Sequence, residues 1–307
     1  MNNTIYFITG PTAIGKSEFA ISLSKKLNGE IINADSMQIY KELNIISARP
    51  NHSDIQKTPH HLYGYVSGNN RYNVEKWCLD AVDKIKLLNT KNITPIFVGG
   101  TGLYIDTLIN GITSIPSIPE NIKKASEELF NDVGQNKFYN IVKILDEEAI
   151  KDISKNDTQR LKRIWEVCNY TNIKFSSWKK NKNKKFLNSF DFKIILFLPD
   201  RKKNYDRVNK RVLKIINNGG VDEVKKLLKL NYNNTLPIMK AHGVPEIISY
   251  LENFISLEEC IDKIQLVTRH YVKRQNTWWK SSKLSNIKKI NEFPDEIDLK
   301  SSKFDHF

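Results

Sequence analysis

Residues 4–9, Thr-Ile-Tyr-Phe-Ile-Thr, form a short β-branched and aromatic run that stops at Gly10, the pattern of a buried strand. Between Ser17 and Leu27 the apolar positions move to Phe19, Ala20, Leu23 and Leu27, a spacing that lines one face of a helix. Glu30–Ala34 predicts a second strand ending at Asp35. Pro95–Val98 predicts a third ending at Gly99-Gly100, and Lys193–Leu198 a fourth closing on Pro199-Asp200. Strands alternating with helical stretches predict a parallel α/β sheet, in which function collects at the C-terminal strand ends.

The alternation lapses between the third and fourth strands. Ile115-Pro116-Ser117-Ile118-Pro119 reads as a linker, and the residues beyond it show helical periodicity without a strand. Thr158 is placed to cap a helix in which Leu161, Ile164, Trp165 and Cys168 share one apolar stripe. The expected organisation is a first core segment over 1–112 and a helical insertion over 113–190. The second core segment, with C-terminal helices and a break at Gly219-Gly220, follows over 191–285, and a peripheral polar tail over 286–307. No internal repeat is visible.

With 40% hydrophobic residues and only 13 Gly and 10 Pro in 307, the chain has the apolar surface for a core, which excludes a disordered or collagen-like polypeptide. No apolar run approaches the ~18 residues of a membrane span. Met1 leads straight into a short apolar stretch without signal-peptide architecture, and Cys78, Cys168 and Cys260 are too scattered for a disulfide or metal framework. A cytoplasmic, reducing environment and no membrane partner are expected. The net charge of +14 has two readings: a polyanionic partner, nucleic acid foremost, or a lysine-rich composition that serves solubility.

Gly10, Pro11, Thr12, Ala13, Ile14, Gly15, Lys16 and Ser17 satisfy G-x-x-x-x-G-K-[ST] in full, between a predicted strand and helix. Such a loop turns backbone N–H groups and a lysine toward a phosphate, and its Ser hydroxyl can ligate Mg²⁺. The motif specifies a di- or triphosphate and by itself suggests a kinase or ATPase. The third strand, however, ends in Gly99-Gly100-Thr101-Gly102, where a nucleotide hydrolase ends in a metal-binding Asp. Asp35, opening Asp35-Ser36-Met37-Gln38-Ile39-Tyr40, ends its strand on the same rim. A carboxylate there can bind Mg²⁺, accept a proton or cap a following helix.

These segments stand in a set order with Ala48-Arg49-Pro50, His60-His61-Leu62, Asn156–Arg163 and Lys273-Arg274-Gln275 leading to Thr277-Trp278. The order is that of the tRNA dimethylallyltransferases (the IPP transferase family), which the chain resembles over residues 4–280. The resemblance implies a P-loop NTPase-like parallel α/β core carrying a helical insertion domain. It implies transfer of a dimethylallyl group from dimethylallyl diphosphate to N6 of adenosine-37 in tRNAs that read codons beginning with U. The phosphate loop would hold the diphosphate rather than ATP, with Mg²⁺ at Ser17. An exocyclic adenine amine is a poor nucleophile, so removing its proton during attack helps, and Asp35 is the carboxylate implied for that role. Thr101 would bond near the diphosphate or the reacting carbon. Arg211 matches the arginine that neutralises the departing diphosphate, with a surface ion pair as its other reading; Arg207 is a weaker candidate.

On the RNA side, the resemblance implies contacts from Asp35, Ser36, Met37, Gln38 and Thr101, and from Lys123. Further contacts would come from Gln159, Arg160, Leu161, Lys162 and Arg163 on one basic helix, and from Lys273, Arg274 and Gln275, beside aromatic residues that include core packing. The expected partners are a tRNA anticodon stem-loop and dimethylallyl diphosphate, acting on a monomer. The lysine run Lys179–Lys185 reads as a solvated loop. Lys240-Ala241-His242-Gly243-Val244-Pro245-Glu246 departs from the family's usual Ala-Ile-Gly-Tyr-Lys/Arg-Glu, which alters the tRNA contacts expected of that loop. Three rivals remain: an adenylate isopentenyltransferase acting on free AMP, ADP or ATP, a P-loop kinase or ATPase, and a non-catalytic RNA-binding protein.

Overall fold

The computed structural model describes residues 4–181, 183–187 and 190–298. Lys182 of the lysine run and positions 299–307 of the expected tail lie outside them. The chain divides into two compact units, one made of 1–109 with 186–307 and the other of 110–185.

The first unit is built on a six-stranded parallel sheet. Its strands are β1 (Thr4–Thr9), β2 (Gly29–Asn33), β3 (His60–His61), β4 (Thr94–Gly99), β5 (Asp191–Phe197) and β6 (Ile287–Ile290), in the order β3-β2-β4-β1-β5-β6. The β1 register sets Phe7 opposite Phe97 and Ile194. Successive β1 side chains enter opposite cores: Ile5 and Phe7 pack with Trp77 and Phe97, while Tyr6 and Ile8 pack with Phe19 and Phe197. A strand covered on both faces is apolar at nearly consecutive positions, which is why these runs were legible without alternation.

Helices α1 (Lys16–Leu27), α2 (His52–Lys57), α3 (Val74–Thr90) and α4 (Gly102–Asn110) accompany the first four strands. In the second unit lie α5 (Glu120–Leu145, interrupted by Gly134 at φ 73°), α6 (Glu147–Ile150), α7 (Thr158–Thr171) and α8 (Phe175–Lys180). After β5 come α9 (Arg201–Asn217), α10 (Gly220–Leu228), α11 (Val244–Leu251) and α12 (Leu257–Ser281). Gly219, at φ 97°, separates α9 from α10 where the glycine pair predicted a break. No helix among the described residues is long and apolar enough to cross a membrane.

The unit over 110–185 has its own core, in which Phe138, Val142 and Ile150 meet Leu161, Ile164 and Cys168 of α7. Trp165 packs against that cluster half-buried. The cap of α7 is Asp157, whose carboxylate accepts from the Arg160 amide, and Thr158 is its first helical residue. Both residue types cap helices, so the sequence leaves a one-residue ambiguity. The expectation of a peripheral tail needs a larger correction. Ile287–Ile290 pairs with Ile194–Phe197 as an edge strand, and Phe293 is buried beyond it. Lys288 and Lys289 made that strand look like surface, because an edge strand tolerates lysine where a central one does not.

Candidate active site

The C-terminal ends of β1, β2 and β4 lie side by side, and the turns that follow them build the site. After β1 the chain passes through Ala13 at φ 65° and Gly15 at φ 96°, both left-handed, before α1 begins. Gly15 caps α1 without a side chain, so no side-chain oxygen occupies the first amides of the helix. Lys16 folds back so that its Nζ donates to the Pro11 carbonyl at 2.6 Å. Burial lowers its pKa to about 7, with Asp35 opposing that shift and Arg211 reinforcing it. Ser17 is exposed on the first turn of α1, and Ile14 is fully buried as the loop's apolar anchor.

Asp35 follows β2. Its Oδ1 accepts from the amides of Met37 at 2.8 Å and Gln38 at 3.3 Å, and its own amide donates to Asn33 Oδ1 at 2.8 Å. These bonds fix the carboxylate and leave Oδ2 without a hydrogen-bond partner among the described residues. The turn after β4 packs against the turn after β2. A Cβ on Gly99 would sit 2.1 Å from the Ala34 carbonyl oxygen, so only glycine allows this approach. Thr101 completes the junction: its amide donates to Ala34 O at 3.2 Å, and its Oγ1 accepts from the Ser36 amide at 3.1 Å.

Helix α9 delivers Arg211, whose guanidinium donates to Thr12 Oγ1 at 3.0 Å and to the Ser47 carbonyl at 3.3 Å. Burial lowers its pKa, and Asp35 opposes that. Arg211 therefore belongs to the site rather than to a surface ion pair. Arg207, one turn earlier, donates to Asp295 Oδ1 at 2.9 Å and lies 3.7 Å over the Phe293 ring.

Two cavities adjoin here. The larger, of about 640 Å³, is lined by phosphate-loop residues from Thr12 to Ser17 and by Asp35, Gln38, Arg49, Arg211 and Lys214. Its cations exceed the acids Glu18 and Asp35, as suits a multiply charged anion. The smaller, of about 200 Å³, shares Thr12, Asp35 and Arg211 but is walled by Met37, Ile46, Val208, Val212, Ile264 and Tyr271. Ser36 lines it as well. No cluster of three or more His, Cys, Asp or Glu side chains exists among the described residues. The oxygen donors present, the Ser17 hydroxyl and the Asp35 and Glu18 carboxylates, suit Mg²⁺, which keeps its waters and takes most other ligands from phosphate oxygens.

The remaining predicted contacts divide. Gln159 and Arg160 are exposed on α7, and Arg160 pairs with Asp157. Leu161, expected to touch RNA, is fully buried in the core of its unit. Lys162 is also largely withdrawn: its ammonium pairs with Glu127 at 2.6 Å and stands 4.2 Å over the Phe130 ring. Arg163 is partly exposed and lies 3.9 Å from Glu166, while Lys123 pairs with Glu120 at 3.1 Å. On α12, Lys273 and Arg274 are exposed, and Arg274 approaches His242 Nε2 at 3.3 Å. Gln275, expected beside them as an RNA contact, is buried; i,i+4 spacing turns it with Tyr271 toward the phosphate loop.

Sequence reasoning missed three contributors. Lys214, three residues beyond Arg211, joins the cationic wall, a placement that helical spacing could have signalled. Tyr271 had the same kind of signal from Gln275. Glu223 had none. From α10 its carboxylate accepts from the amides of Asn44, Ile45 and Ile46 at 2.8–3.0 Å. That clasp holds the segment whose Ser47 carbonyl receives Arg211 and Gln38.

The family model described as IPP transferase matches residues 38–282, and one described as Isopentenyl transferase matches residues 3–72. A tRNA dimethylallyltransferase of Ehrlichia canis is 41% identical over 280 residues, covering 91% of this chain and 92% of the relative. The crystal structure of the tRNA delta(2)-isopentenylpyrophosphate transferase of Staphylococcus epidermidis aligns with TM-score 0.67 and 30% identity over 97% of this chain and 95% of its own. A eukaryotic dimethylallyltransferase captured acting on tRNA aligns with TM-score 0.75 and 26% identity, over 90% of this chain and 70% of its own.

Proposed function

The chain belongs to the IPP transferase family, and on that premise we propose that it transfers a dimethylallyl group from dimethylallyl diphosphate to N6 of adenosine-37 in tRNA. One observation carries the reading: Asp35, whose Oδ2 has no hydrogen-bond partner among the described residues, lines the same cavity as the phosphate loop with its Lys16 and as Arg211 of α9. Against a nucleotide hydrolase, β4 ends in Gly99-Gly100 where such an enzyme carries a metal-binding Asp, and the relatives are tRNA dimethylallyltransferases rather than kinases.

In this reading the N6 lone pair attacks C1 of the dimethylallyl group as the C1–O bond breaks. The diphosphate leaves with the bonding electrons, and the N6 proton passes to Asp35 Oδ2. Arg211 and Lys16 lie where negative charge grows on the leaving group, the place where fixed cations lower a barrier most. Lys16, poised near neutrality by burial, gains its full charge once the anion arrives. The apolar wall of the smaller cavity suits a five-carbon chain held beside Asp35. Mg²⁺ held by Ser17 would supply further neutralisation of the diphosphate. Thr101 holds the Ser36 turn, and with it Asp35, in register with the end of β4.

The purine must leave the anticodon-loop stack to reach Asp35, at a cost of a few kcal/mol at most in a single-stranded loop. Exposed Gln159, Arg160, Lys273 and Arg274 are the side chains assigned to RNA, and the net charge of +14 supports a polyanionic partner. The reading places the protein in the cytoplasm, where tRNA is available, acting as a monomer. Offering radiolabelled dimethylallyl diphosphate with either unmodified tRNA or AMP tests it. Label in tRNA supports the proposal, and label in AMP supports the adenylate rival instead.

A further inference from the structure

Gln275 is 263 residues from Thr12 in sequence, yet its Oε1 accepts from the Thr12 amide at 2.9 Å, and its Nε2 donates to the Gly100 carbonyl at 3.0 Å. A Cβ at Gly100 would fall 2.1 Å from that Nε2, so the glycine that follows β4 is what admits the carboxamide. Thr12 in turn accepts from Arg211 through its hydroxyl. The side chain is buried, with both ends of its amide engaged. These bonds form one chain from the turn after β4, through Gln275 and Thr12, to Arg211.

We propose that Gln275 is a positioning residue that fixes the phosphate loop and, through Thr12, aims Arg211 at the diphosphate; the proposal rests on the reading of this cavity as the prenyl diphosphate site. The Thr12 amide is spent on Gln275, so the cradle for the anion is left to the later amides of the loop and to the start of α1. Glutamine suits the task because a carboxamide offers an acceptor and a donor at once. A carboxylate would lose the bond to Gly100 and bring a negative charge beside the anion.

The test uses inorganic diphosphate with MgCl₂ as the probe, titrated calorimetrically into wild type and Gln275→Met, which keeps side-chain length without either bond. A fluorescent anticodon stem-loop is titrated in parallel. The expected result is about tenfold weaker diphosphate binding, with RNA affinity and its salt slope unchanged. Gln275→Asn, which keeps the amide but cannot span both partners, should lose as much. Combining Gln275→Met with Arg211→Lys should weaken binding less than the product of the two single effects. Unchanged diphosphate affinity, a loss confined to RNA binding, a strictly multiplicative double variant, or loss of fold in both Gln275 variants would each overturn the proposal. A wild type that binds diphosphate but alkylates no adenosine fails the functional reading alone. A working transferase indifferent to Gln275 in diphosphate binding fails this inference alone.

Discussion

The Ser36 amide donates to Thr101 Oγ1 across 3.1 Å, tying the turn after β2 to the turn after β4. The bond spans 65 residues of sequence and sets Asp35 beside the phosphate loop. Thr101→Val keeps the side-chain shape and removes the acceptor, leaving the Ser36 amide unpaired. That loss is worth about 1–3 kcal/mol, and because it acts on the geometry of Asp35 it should appear as a roughly 10- to 100-fold fall in kcat. Steady-state kinetics with saturating tRNA would check it; an effect on KM for tRNA alone would contradict it.

Lys16 gives the site a pH dependence with two opposite signs. In the free protein its pKa is lowered from 10.5 to about 7. Between those values the unfolded chain holds a proton that the folded one has released, so this lysine's contribution to stability rises with pH across the window. Below about 7 its burial cost is fully present. Lys16→Met should therefore raise Tm more at pH 6 than at pH 10. Diphosphate binding draws the proton back, so affinity should fall as pH climbs above 7. Calorimetry at pH 8 in buffers of different ionisation enthalpy should record proton uptake on binding by wild type and none by a Lys16→Met variant that still binds.

On α7 neighbouring basic residues should behave differently. Arg160 is exposed, and Arg160→Ala should reduce the slope of log affinity against log salt by about 1. Lys162 is engaged with Glu127 and Phe130, so Lys162→Ala should lower the stability of its unit and leave the salt slope alone. Leu161→Ala should cost about 2–5 kcal/mol, as a core truncation does, with no specific RNA defect. Salt titrations of stem-loop binding, paired with thermal melts, distinguish the three.

These differences show what one-dimensional reading reaches. β1, β2, β4 and β5 were legible because each central parallel strand holds a run of consecutive apolar residues, such as Ile31-Ile32 and Ile194–Phe197, and the phosphate loop and Asp35 because each motif lies within a few consecutive residues. β3 escaped notice because it is two histidines long, and β6 because Lys288 and Lys289 sit on a sheet edge. Leu161 and Gln275 were assigned to RNA because a motif supplies residue types without the direction each side chain takes. Glu223 was invisible because its partners are contacts of the folded chain alone.

Glu223 offers a test of that last class. Its carboxylate satisfies three backbone amides at residues 44–46, next to the Ser47 carbonyl that receives Arg211. Glu223→Ala leaves those amides without their acceptor and frees the segment lining the larger cavity. KM for dimethylallyl diphosphate should rise about tenfold, while Glu223→Gln, which still offers one acceptor oxygen, should lose less. Equal losses from both variants would show that the carboxylate's bonds are not what matters.

The most direct trial of the central claim is single-turnover transfer from labelled dimethylallyl diphosphate to an unmodified tRNA, comparing wild type with Asp35→Asn at matched tRNA occupancy. The account predicts label on N6 of adenosine-37 with wild type and a rate roughly 10²–10⁴-fold lower with Asp35→Asn, while the two proteins bind tRNA alike. A substituted protein that alkylates the adenine as fast as wild type, or a wild type that leaves it unlabelled, would contradict the account.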